Sequence, residues 1–516
     1  MKKIVFWVAA VSALPLFAKI QLGAPFSEGA VLQRDREVPV WGKAEAGKTV
    51  AVAFADAEVE TIVGADGKWC VKLPAMKASK EGRVLTVTES EPGWFGSETD
   101  RVQVGDVLVG EVWMCAGQSN AELPIWGKSP RFRDGQGAMI VQMTDKPFVR
   151  LVKTPRGSSS KPLLDIPVKW LKMTPALLDL HRAGVTLPSA MGYYFALDLA
   201  NALDIPVGIV DSSFGGANID SWTPRCGYAG IDELKDVAAL PLLDGAAFGE
   251  ARRNGVYKGK SVYDWAGQQP TAMWNAMAAA YAPMAIRGVI WYQGCQNVGE
   301  AERYCAKMHA LYNGWAKAFE NPSLPFYFAQ LAPCGSERTV QLQLAQAKFA
   351  AEEKNAAIAV INDVGNNSDI HPNDKRTVAK RLVLHALKRD YGWTNIRSES
   401  PVFRSLKVEG DTMTLTFDNV EEFYLYNPVH GDKATGFELA GADGVFRPAE
   451  VRNFRMTPHW KTKKPMFYGH FDGPTIVLSA PGVPAPTQVR YLHRSPWFGG
   501  IYNEVCLPLG PFAASR

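Results

Sequence analysis

From about Val107 to Tyr391 the chain alternates short apolar runs with segments of helical spacing, and no other feature limits its fold so strongly. Val107 to Cys115 reads as a buried strand that ends in a Gly-Gln-Ser turn. Ser189 to Leu203 has helical apolar spacing, and Ile205 to Asp211 is the next strand. Ile286 to Tyr292, Phe326 to Leu331 and Ala357 to Asn362 are further strands, followed by an amphipathic helix from Arg376 to Arg389. Strands that alternate with helices imply a parallel sheet covered on both faces. In such sheets the reactive groups gather beyond the carboxyl ends of the strands.

Both flanks have a different texture. From Lys19 to Asp106 the pattern is β, with Val38–Trp41, Val50–Phe54 and the period-two run Trp69–Leu73 split by Gly and charged turns. Short strands at this spacing predict a sandwich-like module. After about Ser398 the β pattern returns, with Thr412–Phe417 and Thr475–Leu478 as strands. The predicted organisation is therefore a β module over 19–106, an α/β domain over 107–397 and a C-terminal β region over 398–516. With 516 residues, 47% hydrophobic and 21% charged, the chain has the composition of a globular protein rather than a disordered or fibrous one. A net charge of +4 gives no support to nucleic-acid binding.

Residues 1–18 read as a secretory signal peptide: Lys2 and Lys3, an apolar run from Ile4 to Phe17, then Ala18 as the expected cleavage point. The run is too short to span a bilayer. No other segment approaches 18 unbroken apolar residues, so the mature chain is expected to be secreted or periplasmic, without membrane insertion. Seven cysteines, none in a CxxC pair, argue against a zinc ribbon, a thioredoxin-like motif or a disulfide scaffold, and the odd count leaves at least one thiol unpaired within the chain.

Gly42 to Thr49 fits the P-loop expression GxxxxGK[ST]. Phosphate binding by that motif needs a helix directly after the lysine. Thr49 to Phe54 reads instead as a strand, so the stretch is expected to be a polar hairpin loop.

The chemistry concentrates at strand ends. Gly117-Gln118-Ser119-Asn120 follows the first α/β strand, where a serine meets helix-start amides able to hold an oxyanion. Position 121 is Ala, so the turn is not the GxSxG elbow. Asp369-Ile370-His371-Pro372 follows the last strand and offers a base with a carboxylate two residues away. Gly215-Gly216 and Gly294 to Asn297 end two other strands and can supply close backbone amides and a side-chain donor. The expected carboxylate partner of His371 is Asp369, with Asp363 as its competitor.

As a set these residues resemble the sialate O-acetylesterase family of the SGNH hydrolases, over nearly the whole mature chain. Val31-Leu32-Gln33-Arg34 and Val40-Trp41-Gly42 are similar to its opening β module, Gly110-Glu111-Val112-Trp113 with Gly117 to Asn120 to its nucleophile block. Pro206 to Gly216, Arg287 to Gly294 with Asn297, and Asp369 to Pro372 with Lys375 and Arg381 resemble the remaining blocks, and Leu507 to Phe512 the tail. The resemblance implies a doubly wound parallel sheet of SGNH type flanked by β-sandwich-like modules. It further implies a serine esterase acting on acetylated carbohydrates, with no metal or cofactor. Ser119 would be the nucleophile and His371 the base. The Ser119 amide, an amide of the Gly215-Gly216 pair (Gly216 preferred) and the Asn297 side chain would form the oxyanion hole, and Gln118 and Gln293 would contact substrate. A carbohydrate-binding protein of the same fold with impaired catalysis is the rival reading. The chain departs from the family pattern at Ala121, Ala217 and, above all, Cys295 and Gln296, where the family reads Glu-Ser. Cys295 is expected to fill the vacated carboxylate space rather than to act as a thiol nucleophile. A cluster of Arg452, Arg455, Lys461, Lys463 and Lys464, around His459 and Trp460, is expected to be solvated surface, with a rim for anionic glycans as its sharper reading.

Overall fold

The computed structural model describes residues 20–92, 97–126, 137–257, 262–334, 336–365, 369–426, 435–458, 465–493 and 500–516. Residues 1–19, where the signal peptide is expected, and positions 459–464 lie outside these ranges. The central sheet is built from β1 (Glu98–Gly117), β2 (Lys146–Lys153), β3 (Trp170–Met173), β4 (Val207–Ser213), β5 (Gly288–Tyr292), β6 (Phe326–Ala329) and β7 (Ala356–Ala359). Their spatial order is β3-β2-β4-β1-β5-β6-β7. All neighbours run parallel except β3, which pairs antiparallel with β2 at the edge. Because β1 lies mid-sheet and the chain winds first to one side and then to the other, its carboxyl end sits at a switch point, where crossovers diverge and leave a crevice.

Alternate residues of each strand feed two helix layers, which explains why the strands read as continuous apolar runs. Val112, Met114 and Ala116 of β1 pack with Val289 and Trp291 against α3 (Ala301–Ala318) and α4 (Glu337–Glu352), through Met308, Leu311, Trp315 and Phe349. Trp113 and Cys115, with Ile209 and Tyr292, pack against α2 (Ala190–Leu203) and α5 (Lys375–Asp390). Ser189 caps α2 through the Gly192 N–H, and Asp374 caps α5 through the Thr377 N–H.

β-Sheet regions flank the central sheet on both sides in sequence, and the junction of the first is instructive. Strand β1 runs unbroken across position 106. Its first half pairs antiparallel with Ser79–Ser90 of the N-terminal module, while its second half pairs parallel with β4 and β5. Asp106 takes a positive φ of 55° where the register against Ser79–Ser90 shifts; that pairing runs on to Val109, and pairing with β4 begins at Glu111. The module and the central sheet thus share one strand. Thr49–Phe54 is a strand and Gly42–Lys43 ends another, so the P-loop-like stretch is a hairpin connection. Among the described residues, the C-terminal region from Val402 to Ser515 holds three four-stranded sheets around a core that includes Phe417, Phe423, Leu478 and Tyr491. None of the seven cysteines is in a disulfide.

Candidate active site

The first side chain of the site is placed by a steric constraint. At Gly117 φ is +136°, and a Cβ there would lie 2.2 Å from the Tyr292 carbonyl oxygen. Only glycine lets the end of β1 lie this close to β5, and the chain then turns into α1 (Ser119–Glu122). The Ser119 N–H occupies the first turn of that short helix, where no intrahelical acceptor exists. Asn120 braces the turn against the histidine loop: its Nδ2 donates to the Ile370 carbonyl at 2.8 Å, and its Oδ1 accepts from Lys375 Nζ at 2.8 Å.

That bracing brings together residues 252 positions apart. His371 Nε2 lies 2.9 Å from Ser119 Oγ. The other ring nitrogen, Nδ1, lies 3.2 Å from Asp369 Oδ1, which also accepts the His371 backbone N–H at 3.0 Å. Asp363, the competing carboxylate, is taken by Arg381 through two 2.7 Å hydrogen bonds and does not face the imidazole. Ser119, His371 and Asp369 therefore form one hydrogen-bonded line, with the serine half-buried at the mouth of a cavity of about 1220 Å³. Gln118, Gly216, Cys295 and Ile370 also line this cavity.

The glycine pair divides its tasks. The Gly215 N–H donates to Glu122 Oε2 at 2.8 Å, so this amide is engaged. Gly216 has φ +77°, with nothing within 4 Å of where a Cβ would stand, and it lines the cavity. Two other expectations are corrected. Asn297 is fully buried and its side chain is bonded inside the protein: Nδ2 donates to Glu300 Oε2 at 2.8 Å, while Oδ1 accepts from the Ile219 N–H and from Gln293 Nε2. Gln293, also fully buried, donates to the Ala217 carbonyl and accepts from the Tyr304 hydroxyl. Neither is among the residues that line the cavity. Both belong to a buried polar network anchored by Lys307, which contacts Asp220 at 2.8 Å and Glu300 at 2.7 Å. A motif spacing cannot tell a residue that faces substrate from one that holds the turn behind it. Gln118 does line the cavity, and its Oε1 accepts the N–H groups of Gly294 and Gln296, tying β5 to the nucleophile turn.

Cys295 also lines the cavity, where burial, with Cys334 adding to it, pushes its thiol up to about 12. It is a neutral thiol at physiological pH, the opposite of an activated nucleophile. Three pocket residues carry no motif of their own. Glu122 accepts a two-pronged contact from Arg156, at 2.5 and 2.7 Å, and Lys153 lies 3.9 Å from the same carboxylate. Glu122 sits three positions after Ser119, on the same helix, which was its only signal in the sequence. Among the described residues, the one group of side chains able to ligate a metal is Cys305, His309 and Glu352, and it does not line this cavity. Of the two arginines of the basic cluster, Arg452 pairs with Glu450 and Arg455 with Asp472, while the three lysines fall outside the described residues.

A family model described as "Carbohydrate esterase, sialic acid-specific acetylesterase" matches residues 109–387, more than half of the chain and all of the site up to His371. The chain belongs to this esterase family. It is a carboxylic ester hydrolase. The esterase is 27% identical over 438 residues to the sialate O-acetylesterase of Rattus norvegicus, which covers 75% of this chain and 77% of the relative. It is 26% identical over 394 residues to the Homo sapiens sialate O-acetylesterase, covering 70% and 69%. Among solved structures, a carbohydrate acetylesterase from Xanthomonas citri superposes on the esterase with a TM-score of 0.77 and 29% identity, over 96% of this chain and all of that one.

Proposed function

We propose that the protein is an exported serine esterase that hydrolyses O-acetyl esters of carbohydrates through an acetyl-enzyme on Ser119. The observation that carries this reading is the 2.9 Å contact between Ser119 Oγ and His371 Nε2, with Asp369 behind the imidazole. His371 takes the hydroxyl proton as Ser119 Oγ attacks the acetyl carbonyl. The negative charge that develops on the carbonyl oxygen is received by the Ser119 and Gly216 N–H groups. An oxyanion donor of this kind is worth about 10²–10³ in rate. Asp369 holds the imidazole in the tautomer that leaves Nε2 free to accept, and stabilises the imidazolium once formed. Collapse of the tetrahedral adduct breaks the bond to the sugar oxygen, which leaves with the proton from His371. Water, deprotonated by the same His371, then attacks the acetyl-enzyme, and acetate departs as Ser119 recovers its proton.

The β1–β7 order, with the nucleophile after β1 and the histidine after β7, supports placing the fold with the SGNH hydrolases. The charged and apolar pattern of Met1 to Ala18 supports export to the periplasm or beyond. The name of the Xanthomonas citri neighbour, a carbohydrate acetylesterase, supports an acetylated sugar as substrate. The test is direct. A fluorophosphonate probe should label the wild-type protein and not Ser119→Ala, and wild type should release acetate from at least one member of a panel of acetylated sialic acids, xylan and simple sugars. Labelling that persists in Ser119→Ala, or no acetate released from any of them, would reject the proposal.

A further inference from the structure

An exposed indole is tied to the Gly215-Gly216 turn that lines the cavity, through Phe214 and Gln268. Trp265 is 39% exposed, a costly placement for so large an apolar ring. The ring is held, not free. A Cβ on Gly267 would lie 1.9 Å from it, so the indole rests directly on the glycine backbone. It also packs on Phe214 with ring centroids 5.5 Å apart and an angle of 36°. Phe214 directly precedes Gly215, and on it lies the Arg156 guanidinium, 5.1 Å from the ring centroid. Glu122 holds that guanidinium by its two-pronged contact, so the arginine's orientation is set and its charge is balanced. The Trp265 turn is bonded to the oxyanion turn itself: Gln268 Nε2 donates to the Gly216 carbonyl at 3.0 Å, and Asn218 Nδ2 donates to the Gln268 carbonyl at 2.9 Å.

We infer that Trp265 and Arg156 form a subsite for the sugar units next to the acetylated one, on the side of the leaving alcohol. The inference rests on the proposed carbohydrate substrate. A sugar ring has an apolar C–H face and a rim of hydroxyls. A fixed indole matches the face, and a planar guanidinium with outward N–H groups matches the rim. Since Arg156, 59% exposed, is already neutralised by Glu122, the subsite suits a neutral glycan better than an anionic one. Rigidity matters here: an aromatic ring already held in place loses little freedom on binding, so stacking goes into affinity.

The experiment compares acetylated neutral oligosaccharides with the corresponding acetylated monosaccharide glycosides. In Trp265→Ala the ratio of kcat/KM, oligosaccharide over monosaccharide, should fall about tenfold, mostly through KM. Trp265→Tyr, which keeps a flat ring, should restore most of that ratio. An unchanged ratio in Trp265→Ala overturns the subsite. Binding is measured separately by calorimetry on the full-length Ser119→Ala protein with the same oligosaccharides, deacetylated, so that the subsite is judged even if no ester is turned over. Weaker binding by Trp265→Ala in that background supports it, and no binding of any neutral oligosaccharide rejects it. Failure of the esterase reading would appear elsewhere, as absent acetate release and absent Ser119 labelling in the wild type.

Discussion

Replacing Asp369 by Asn removes one charge and almost no volume, so it isolates what the carboxylate does for His371. Asp369 Oδ1 serves both the His371 backbone N–H at 3.0 Å and the ring Nδ1 at 3.2 Å, and an amide oxygen can keep both contacts. The imidazole orientation should therefore survive, and the loss should fall on the imidazolium formed when Ser119 attacks. Two unit charges 3.2 Å apart, at an effective dielectric of about 20, interact by about 5 kcal/mol, close to four decades of rate. The pair is 13% and 22% exposed, and the amide dipole recovers part of the term, which leaves an expected drop in kcat of about 10²–10³. The assay is kcat for acetate release by Asp369→Asn, beside Asp363→Asn, with thermal melts of both. Asp363→Asn should instead lower Tm, because it leaves Arg381, 9% exposed, with a weakened partner. A kcat for Asp369→Asn within about threefold of wild type, or a larger loss in Asp363→Asn at equal stability, would refute the assignment.

Other outcomes follow from the same geometry. Cys295→Ala should retain at least about half of wild-type kcat, since a thiol pushed up to about 12 by burial supplies no thiolate; a loss comparable to that of Ser119→Ala would point to thiol chemistry. Gly117→Ala forces a Cβ to 2.2 Å from the Tyr292 carbonyl and should cost about 3 kcal/mol or more, read as a lower Tm with activity lost through displacement of Ser119; an unshifted Tm would contradict it. His385 is buried and neutral, its pKa lowered to about 4 by desolvation, while Nε2 contacts the Ile358 carbonyl at 3.1 Å. The folded state then binds fewer protons than the unfolded chain between about pH 6.5 and pH 4, so the contribution is fully present above pH 6.5 and is lost as pH falls through that window, by up to about 3 kcal/mol. Denaturant melts across pH should show that slope in wild type and a flatter one in His385→Gln; equal slopes would exclude His385 as the cause.

Much of the chain's chemistry was legible without coordinates because it is local. Period and composition announce a parallel strand buried on both faces, and Val112 to Cys115 could hardly be anything else once both layers are apolar. A histidine two residues from an aspartate is adjacent to its partner, so the pairing of His371 with Asp369 could be read from spacing; Ser119 lies 252 positions from His371, and only the resemblance to a family joined those two in the sequence. What spacing could not convey is which way a side chain points after the turn. Asn297 and Gln293 sit in a motif that looks like pocket lining, yet the buried Lys307 draws their neighbourhood into a polar network, because an enclosed ammonium must be surrounded by acceptors. Arg156 and Trp265, 109 positions apart, meet over Phe214 only because β2, β4 and the loops after them are brought side by side. Even the module boundary was a tertiary matter: residues 98–117 read as the end of one pattern and the start of another, while the backbone resolves them into a single strand that changes partners between Val109 and Glu111. Hydrogen-bond partners on a strand are chosen by whichever edges the fold places beside it, and no local pattern encodes that choice.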